Sequence, residues 1–385
     1  MALSKKEQNN QQAFFALLRA GLWNKEVHFA QYGEIDFSVI QQIAEEQSVV
    51  GLIVAGMEKV TDVKPAKKNV LQLICQTLRL EERNKAMNYF IGVLVDKMRD
   101  VGIYTLLVKG QGVAQCYEKP LWRSCGDVDF LLSSENFDKA LSFLTPLAQS
   151  VDREESYSRH IGMTIDQWVV ELHGSLRCGL SPKMDKAIDE LQVDCFERGN
   201  VRSWRNGETD VFLPGVDDDI LFTFTHFLKH FYKGGIGLRQ ICDWCRLLWT
   251  YREEIDVALL KKQLREMGLM SEWKVFGAFA VEYLGMPVEA MPLLNDNQNE
   301  NGWPPSGSLR RKAKRICSFI MEVGNFGHNR DTSYYSKYPF LVRKTFSMGW
   351  RIGDLFRHVR IFPLDSIRFF PKLMYVGLCS AVKGE

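Results

Sequence analysis

The chain has 385 residues, 46% hydrophobic and 25% charged, which is the balance of a globular protein with a large core and two or three units. Its nine cysteines have no framework spacing, its start is polar, and its longest apolar stretches, such as 373–382, are too short to span a bilayer. These features argue against a disulfide-stabilised secreted protein and against a transmembrane protein. They predict a cytoplasmic protein with reduced thiols.

The net charge of +2 is distributed unevenly along the chain. Residues 310–385 contain 15 Lys and Arg against 5 Asp and Glu, so the remainder of the chain is acidic. A basic segment of this kind favours an anionic partner, such as nucleic acid, an acidic membrane surface or another subunit. A solvated helical face without a partner explains the same pattern more simply.

Residues 1–102 show helical periodicity. Apolar residues recur at helical spacing between residues 14 and 22, residues 37–60 repeat the pattern, and residues 69–101 form a long amphipathic run without proline. We therefore expect an N-terminal helical region, which either supports the next unit or forms a wall that faces its substrate.

An apolar and β-branched run over residues 104–108 predicts a buried strand. Gly110 and Gly112 interrupt it, and residues 113–117 return to helical spacing. A strand, a glycine turn and a helix N-terminus can bind phosphate, because free backbone N–H groups and the positive end of the helix dipole face the anion. Lys109 would add a positive charge. The alternative is a plain strand-to-helix turn.

Asp127 and Asp129 stand two residues apart in a second predicted strand. Val128, Phe130 and Leu132 alternate with them, so the two carboxylates point away from an apolar face. Adjacent carboxylates repel each other and need a compensating cation, and hard oxygen ligands favour Mg²⁺ or Mn²⁺. The alternative is a pair of exposed aspartates on a solvated strand.

A third carboxylate lies in the apolar strand predicted over residues 167–173. Glu171 and His173 share one face of this strand. An acid inside an apolar run is costly unless it is paired or bound to metal. The alternatives are a strand acid that faces solvent and an ion pair with a distant Lys or Arg.

These elements predict a unit over residues 103–213 with a mixed sheet. Its predicted strands are 104–108, 127–132, 158–165 and 167–173, and its predicted helices are 135–144 and 180–194. Asn206-Gly207 predicts a hairpin. The pattern is not the alternating βαβ order of a dinucleotide-binding fold, so we predict an α+β fold class: a small mixed sheet between N-terminal and C-terminal helical regions.

Residues 214–290 return to helical patterns. Asp217-Asp218-Asp219 is better explained by acids at a helix N-terminus than by a metal site. His226 and His230 have the i, i+4 spacing of zinc ligands, but without further ligands a structural pair is favoured. Lys229, Lys233 and Arg239 would contact phosphate if this helix borders the cleft.

The remaining segment, 291–385, is predicted to be a linker followed by the basic helical C-terminal region. One further motif, Cys242-Asp-Trp-Cys245, has the spacing of a metal or redox pair. It lacks a second pair and sits in a helical pattern, so buried structural thiols are the favoured interpretation.

The glycine turn, the Asp-x-Asp strand and the later carboxylate together resemble the nucleotidyltransferase superfamily that includes DNA polymerase beta. A bacterial family in it has the pattern Leu-Lys-Gly, Tyr, Arg, Asp-hydrophobic-Asp and then an acidic residue followed by hydrophobic-His. The corresponding residues here are Val108-Lys109-Gly110, Tyr117, Arg123, Asp127-Val128-Asp129 and Glu171-Leu172-His173. The resemblance runs from about residue 12 to residue 374. Gly110-Gln111-Gly112 departs from the Gly-Gly or Gly-Ser of the wider superfamily, so it offers no serine-type hydroxyl.

The resemblance implies transfer of a nucleoside monophosphate from an NTP to an acceptor, with release of pyrophosphate. Asp127 and Asp129 would bind Mg²⁺ or Mn²⁺, and Glu171 would complete the metal site and assist deprotonation. The expected nucleotide-binding residues are Lys109, Gly110, Gly112 and Arg123. The acceptor is a small molecule, RNA or protein. Two alternatives stay open: a toxin of a toxin–antitoxin pair that modifies RNA or protein, and a non-catalytic nucleotide-binding protein of the same fold.

Overall fold

The computed structural model describes residues 4–62, 67–155, 157, 159–294, 306–330 and 337–383. Four helices precede the sheet: α1 (Lys5–Trp23), α2 (Phe37–Glu46), α3 (Val50–Met57) and α4 (Lys67–Asp100). The start of α1 is capped reciprocally, because Glu7 N–H donates to Ser4 Oγ and Ser4 N–H donates to Glu7 Oε2. The helical run predicted over residues 37–60 is two helices, which separate where Ser48 adopts a φ of +56°.

Five strands form a mixed sheet in the order β1-β2-β5-β4-β3. They are β1 (Leu106–Val108), β2 (Asp127–Leu131), β3 (Ser150–Val151), β4 (His160–Ile165) and β5 (Trp168–His173). Only β2 and β5 pair in parallel, and the other three pairings are antiparallel. The short edge strand β3 has no counterpart among the predicted strands. The first residues of the strand predicted over 158–165 include Ser158, which lies outside the described residues.

The Asn206-Gly207 turn joins a separate two-stranded sheet, β6 (Val201–Asn206) and β7 (Thr209–Pro214). Gly207 has a φ of +61°, as a tight hairpin turn requires. Three helices accompany the sheets: α5 (Gly110–Ala114), α6 (Ser134–Leu144) and α7 (Pro182–Phe196). The sequence predicts the hairpin and the last two helices closely, whereas α5 begins at Gly110 rather than after the glycine turn.

Seven helices complete the described part of the chain: α8 (Val216–Lys233), α9 (Leu238–Thr250), α10 (Val257–Met267), α11 (Met270–Leu284), α12 (Gly307–Val323), α13 (Phe340–Val359) and α14 (Pro363–Lys383). Residues 295–305 of the predicted linker lie outside the described residues. Within the part of the chain described, no helix combines the length and the apolar character needed to cross a membrane. The chain is an α+β protein, as the sequence predicts.

The apolar side chains form two clusters that hold the sheet between helical layers. One cluster packs α4 and α6 against one face of the sheet and includes the fully buried Phe130 and Phe137. Burial of such a side chain contributes about 1.5–3 kcal/mol to folding. The larger cluster joins α1 to α8, α9, α11 and α12. The opposite face of the sheet contributes Leu106, Val108 and Leu131 to the larger cluster and also carries the polar side chains described below.

The three acids at the start of α8 lie in its first turn, but the N-cap residue is Gly215. Asp219 pairs with the Arg202 guanidinium, Asp218 accepts a hydrogen bond from Asn200, and Asp217 accepts one from the Asp256 N–H. Burial raises the pKa of Asp218 to about 7. These acids therefore connect α8 to β6, to Asn200 just before it and to the start of α10 through hydrogen bonds and an ion pair, and they also complement the helix dipole.

Candidate active site

Three carboxylates from two neighbouring strands meet on one face of the sheet. The parallel register of β2 and β5 places Asp129 beside Glu171. Asp127 lies two residues before Asp129, so its side chain points to the same face. One oxygen atom from each carboxylate lies within 4.8 Å of the other two. Three hard oxygen donors at this spacing fit a shared Mg²⁺ or Mn²⁺ ion.

The opposite face of the same strands explains why the carboxylates share a side. Val128, Phe130 and Leu172 alternate with the acids and are buried in the core against α4 and α6. A shift of one residue in either strand would exchange these apolar side chains with the carboxylates. Burial of the apolar face therefore fixes the orientation of the acidic face.

The carboxylates perturb one another. The negative charge of Asp129, together with burial, raises the pKa of Asp127 above its usual range. Burial also acts to raise the pKa of Asp129, but Lys109 and His173 outweigh it and lower that pKa. The two aspartates thus depend on nearby cations to remain ionised together.

Lys109 contacts the cluster directly. Its Nζ donates a hydrogen bond of 2.7 Å to Asp129 Oδ1, and its side chain is 19% exposed. The Lys109 backbone has a φ of +59°, which is unusual for a residue with a side chain and costs on the order of 1–3 kcal/mol. The sequence predicts a phosphate partner for Lys109, and the structure gives it a carboxylate partner.

The two glycines of the turn differ in position. Gly110 has a φ of +43° and lies at the edge of a cavity above the carboxylates. Gly112 packs against the hairpin, since a Cβ atom there would lie 2.8 Å from Leu213 Cδ2. Gly110 thus lines the cavity, whereas Gly112 permits the close approach of α5 to β7.

Arg123 is held in a buried ion pair. Its Nη2 is 2.6 Å from Asp243 Oδ2, its Nε donates to Asp243 Oδ1 at 2.9 Å, and its side chain is only 6% exposed. The Tyr117 hydroxyl also donates to Asp243 Oδ1, and burial with this negative charge raises the pKa of Tyr117 well above its usual range. The expected phosphate ligand is therefore already paired with α9 through a carboxylate.

Sequence reasoning missed Asp243, because it lies between Cys242 and Cys245 in a helical pattern. Both thiols are free and fully buried, and burial raises the pKa of each. No metal-ligating cluster among the described residues includes either cysteine. The cysteines pack in the core, while the aspartate between them reaches the site.

Two histidines extend the cluster across the sheet. His173 Nε2 lies 2.8 Å from Asp129 Oδ1 and 3.4 Å from Glu171 Oε2. His160 on β4 is the register partner of His173, and the two rings stack with their centroids 4.7 Å apart. His160 Nε2 lies 3.1 Å from Glu171 Oε2. The sequence places His160 and His173 in two neighbouring predicted strands, but it does not set the register that makes them partners.

The carboxylates line one side of a cavity of about 380 Å³, and α8 lines the other side. Lys229 and Lys233 lie one helical turn apart on this side, with Arg239 at the start of α9. Burial, followed by repulsion from nearby cations, lowers the pKa of both lysines, that of Lys233 to about 8. Among the described residues neither lysine has an ion-pair partner. We call these three residues the basic wall.

His226 and His230 also lie on this side of the cavity. Their Nε2 atoms are 3.2 Å apart. Burial lowers the pKa of His226 well below its usual range and that of His230 to about 3. Both rings are therefore neutral near pH 7, and they form a pair with each other, in line with the structural interpretation of their spacing.

The fold and the site together define an α+β protein in which a carboxylate cluster and a basic wall line the same cavity. A family model described as an uncharacterised nucleotidyltransferase matches residues 33–285, a span that contains the whole site. Because the match covers more than half of the chain, the protein belongs to this nucleotidyltransferase family. Comparison with curated proteins and with solved structures found no match.

Proposed function

We propose that the protein is a metal-dependent nucleotidyltransferase that moves a nucleoside monophosphate from an NTP to an acceptor. The observation that carries this proposal is the division of charge across one cavity. Three carboxylates lie on the sheet side, and three cationic side chains of the basic wall lie on the opposite side. An NTP bound to a divalent cation presents a matching arrangement, because its phosphates are anionic and the cation is positive.

Asp127, Asp129 and Glu171 would hold Mg²⁺ or Mn²⁺. The oxygen donors, their spacing within 4.8 Å and the partial burial of the cluster fit either ion. When bound, the ion neutralises negative charge on the attacking and leaving oxygens of a phosphoryl transfer. The three side chains would also fix the position of the α-phosphate relative to the acceptor.

The basic wall would bind the triphosphate. Lys229 and Lys233 project from one face of α8, because residues i and i+4 are neighbours on a helix. They are partly buried and form no direct ion pair with a described residue, although the charge of Glu155 acts on both, so an anion that enters the cavity gains two electrostatic contacts. Arg239 donates to the Ser124 carbonyl, yet its Nε has no hydrogen-bond partner among the described residues. That N–H remains available to a phosphate oxygen.

Lys109 and Gly110 would contact the triphosphate on the side of the cavity that carries the carboxylates. Lys109 neutralises Asp129 in the free protein and would turn towards phosphate once a cation occupies the carboxylates. Gly110 would let the nucleotide approach the backbone closely. Arg123 would serve as a positioning residue, since its ion pair with Asp243 joins the loop before β2 to α9.

The acceptor is proposed from chemistry alone: a hydroxyl or similar nucleophile on a small molecule, an RNA or a protein. The basic segment in residues 310–385 favours RNA among these, because it would attract the phosphate backbone. Part of that segment also docks on the same chain. Lys372 Nζ is 2.9 Å from Asp185 Oδ2, and Arg368 donates to Ser181 Oγ.

Incubation of the protein with each α-labelled NTP, Mg²⁺ or Mn²⁺ and cell extract tests the proposal. We expect label to appear in one class of acceptor, which is then sorted as RNA, protein or small molecule. The Asp127→Asn/Asp129→Asn variant should transfer no label, and Asp100→Asn, an exposed change of the same kind on α4, should transfer as much as the wild type. Equal labelling by wild type and the double variant would overturn the proposal.

A further inference from the structure

The two histidines beside the carboxylates offer nitrogen donors at a spacing that suits a metal ion. One ring nitrogen of His160, one of His173 and one oxygen of Glu171 all lie within 4.8 Å of one another. Glu171 Oε2 is 3.1 Å from the first nitrogen and 3.4 Å from the second. Donor atoms bound to one ion at about 2.1 Å in tetrahedral or octahedral geometry lie roughly 3.0–3.4 Å apart. The observed spacings therefore match the edges of a coordination polyhedron.

His160 supplies a second observation. Its Nε2 is shielded from solvent and has no hydrogen-bond partner among the described residues, although Glu171 Oε2 is only 3.1 Å away. Their separation is that of two ligands of one ion, so a cation held between this nitrogen and the carboxylate would satisfy both.

Strand pairing holds the two rings in place. His160 and His173 are register partners on antiparallel strands, and their rings stack at 4.7 Å with an angle of 26° between the planes. His160 Nε2 faces Glu171, whereas His173 Nε2 lies between Asp129 and Glu171, so an ion bound here would replace the contact between His173 and Asp129. The preorganised rings lose little freedom on binding an ion, because the sheet and the ring stack already define their orientation.

We propose that His160, His173 and Glu171 form a second divalent-cation position, which binds Mn²⁺, Co²⁺ or Zn²⁺ in preference to Mg²⁺. Imidazole nitrogen suits first-row transition metals, whereas Mg²⁺ prefers oxygen donors. Glu171 belongs to both positions and would bridge them. The inference rests on the proposed function only in sharing Glu171 with the carboxylate site, since the nitrogen donors are independent of nucleotide.

Pulsed electron paramagnetic resonance of the protein loaded with Mn²⁺ alone tests this site, because coupling between Mn²⁺ and ¹⁴N reports histidine ligation directly. We expect ¹⁴N modulation in the wild type. We also expect it in Asp127→Asn, because Asp127 is a ligand of the carboxylate position and not of the histidine position. The modulation should disappear in His160→Ala/His173→Ala and persist in His28→Ala, a change at an exposed histidine far along the chain.

A second measurement covers the case in which the double histidine variant does not fold. With Co²⁺ as the probe, His160→Gln alone should weaken binding about tenfold or more and alter the visible absorption spectrum of the bound ion. The inference is overturned if wild-type protein binds Mn²⁺ without ¹⁴N modulation, or if the modulation and the Co²⁺ spectrum are unchanged in His160→Gln. Failure of NTP transfer with intact ¹⁴N modulation would refute the proposed function and leave this site standing.

Discussion

Lys109 Nζ donates a hydrogen bond of 2.7 Å to Asp129 Oδ1, joining the residue after β1 to the centre of β2. Val108, the residue before the lysine, is the register partner of Asp129. The unusual φ of +59° at Lys109 turns the chain at this point. The lysine is consequently held over the carboxylate that lies deepest in the proposed metal site.

Removal of the Lys109 charge should change cation and nucleotide binding in opposite directions. In Lys109→Met, the carboxylates lose an internal cation, so Mn²⁺ without nucleotide should bind roughly three- to tenfold more tightly. NTP affinity should fall by a similar factor, because a phosphate contact is lost. Titration of Mn²⁺ and of NTP separately measures both effects, with Lys97→Met on the exposed surface of α4 as the control. A parallel loss of both affinities would contradict this account.

Loss of the aspartate charges should abolish cation-dependent nucleotide binding while the fold survives. Asp129→Asn keeps the size of the side chain but removes one charge next to Glu171. Without Asp127 and Asp129 as anions, we expect NTP affinity in the presence of Mg²⁺ to fall at least tenfold, and the effect of Mg²⁺ on binding to vanish. Equilibrium binding with and without Mg²⁺ measures the loss of NTP affinity, and thermal unfolding checks that the variant is folded. Asp100→Asn is the matched control, and unchanged Mg²⁺ dependence in the double variant would count decisively against the site.

The basic wall should matter for nucleotide but not for the cation alone. We expect Lys229→Met/Lys233→Met to lower NTP affinity by about ten- to a hundredfold, because two partly buried phosphate contacts disappear. Mn²⁺ binding without nucleotide should stay the same or tighten slightly. Lys183→Met/Lys186→Met removes two exposed lysines of α7 and serves as the control for charge. NTP affinity that is equal in both double variants would exclude α8 from the nucleotide site.

Lys233 should also make nucleotide binding sensitive to pH. Burial and the nearby Lys229 lower the pKa of Lys233 to about 8 in the free protein. A bound phosphate favours the protonated form and raises that pKa, so affinity is highest below pH 8 and falls as the pH rises above it. The decrease should approach tenfold per pH unit until the pKa of the bound state is reached. NTP affinity measured between pH 7 and pH 9.5 in wild type and Lys233→Met checks this, and the variant should show a flatter profile.

The Arg123–Asp243 pair should contribute to stability through its burial. Asp243→Ala leaves the guanidinium and the Tyr117 hydroxyl without their partner, so unfolding free energy should fall by about 3–5 kcal/mol. Tyr117→Phe removes only one hydrogen bond and should cost about 1 kcal/mol. Urea unfolding of the three proteins provides the measurement. If Asp243→Ala is no less stable than Tyr117→Phe, the ion pair is not what holds α9 to the loop before β2.

If the acceptor is RNA, the basic C-terminal segment should bind it with a strong dependence on salt. The logarithm of the binding constant should fall with the logarithm of salt concentration, with a slope of about −0.7 for each phosphate neutralised. Arg311 and Lys314 are exposed on α12, so Arg311→Gln/Lys314→Gln should reduce the magnitude of the slope by about 1.4 if each contacts one phosphate. Lys183→Gln/Lys186→Gln on α7 is the control.

The alternative is that the segment binds only to its own chain. Arg357 pairs with Glu322 and Arg330 pairs with Asp354, so part of its charge is already neutralised within the segment. Titration of a labelled RNA pool at several salt concentrations separates the two accounts. Absence of binding at low salt, or binding that ignores salt, would leave intramolecular docking as the explanation of the positive charge.

The features predicted from sequence are those set by local periodicity. The alternation of Asp127 and Asp129 with Val128 and Phe130 defines a strand with one acidic face, because successive side chains of a strand point to opposite sides. The same rule places Glu171 and His173 together. Helices, the hairpin and the α+β class follow from spacing within a few residues of the chain.

Tertiary structure decided which of these faces meet. Nothing local specifies that β5 pairs in parallel with β2, which brings Glu171 beside Asp129, or that β4 adds His160 to the same face. The position of Lys229 across the cavity depends on how α8 packs over the sheet. Likewise, the sequence alone does not show whether Arg123 pairs with a phosphate or, as in the structure, with Asp243. Such choices depend on contacts between residues from about a dozen to more than a hundred positions apart, where the free energy comes from burial and pairing of whole elements rather than from the neighbouring sequence.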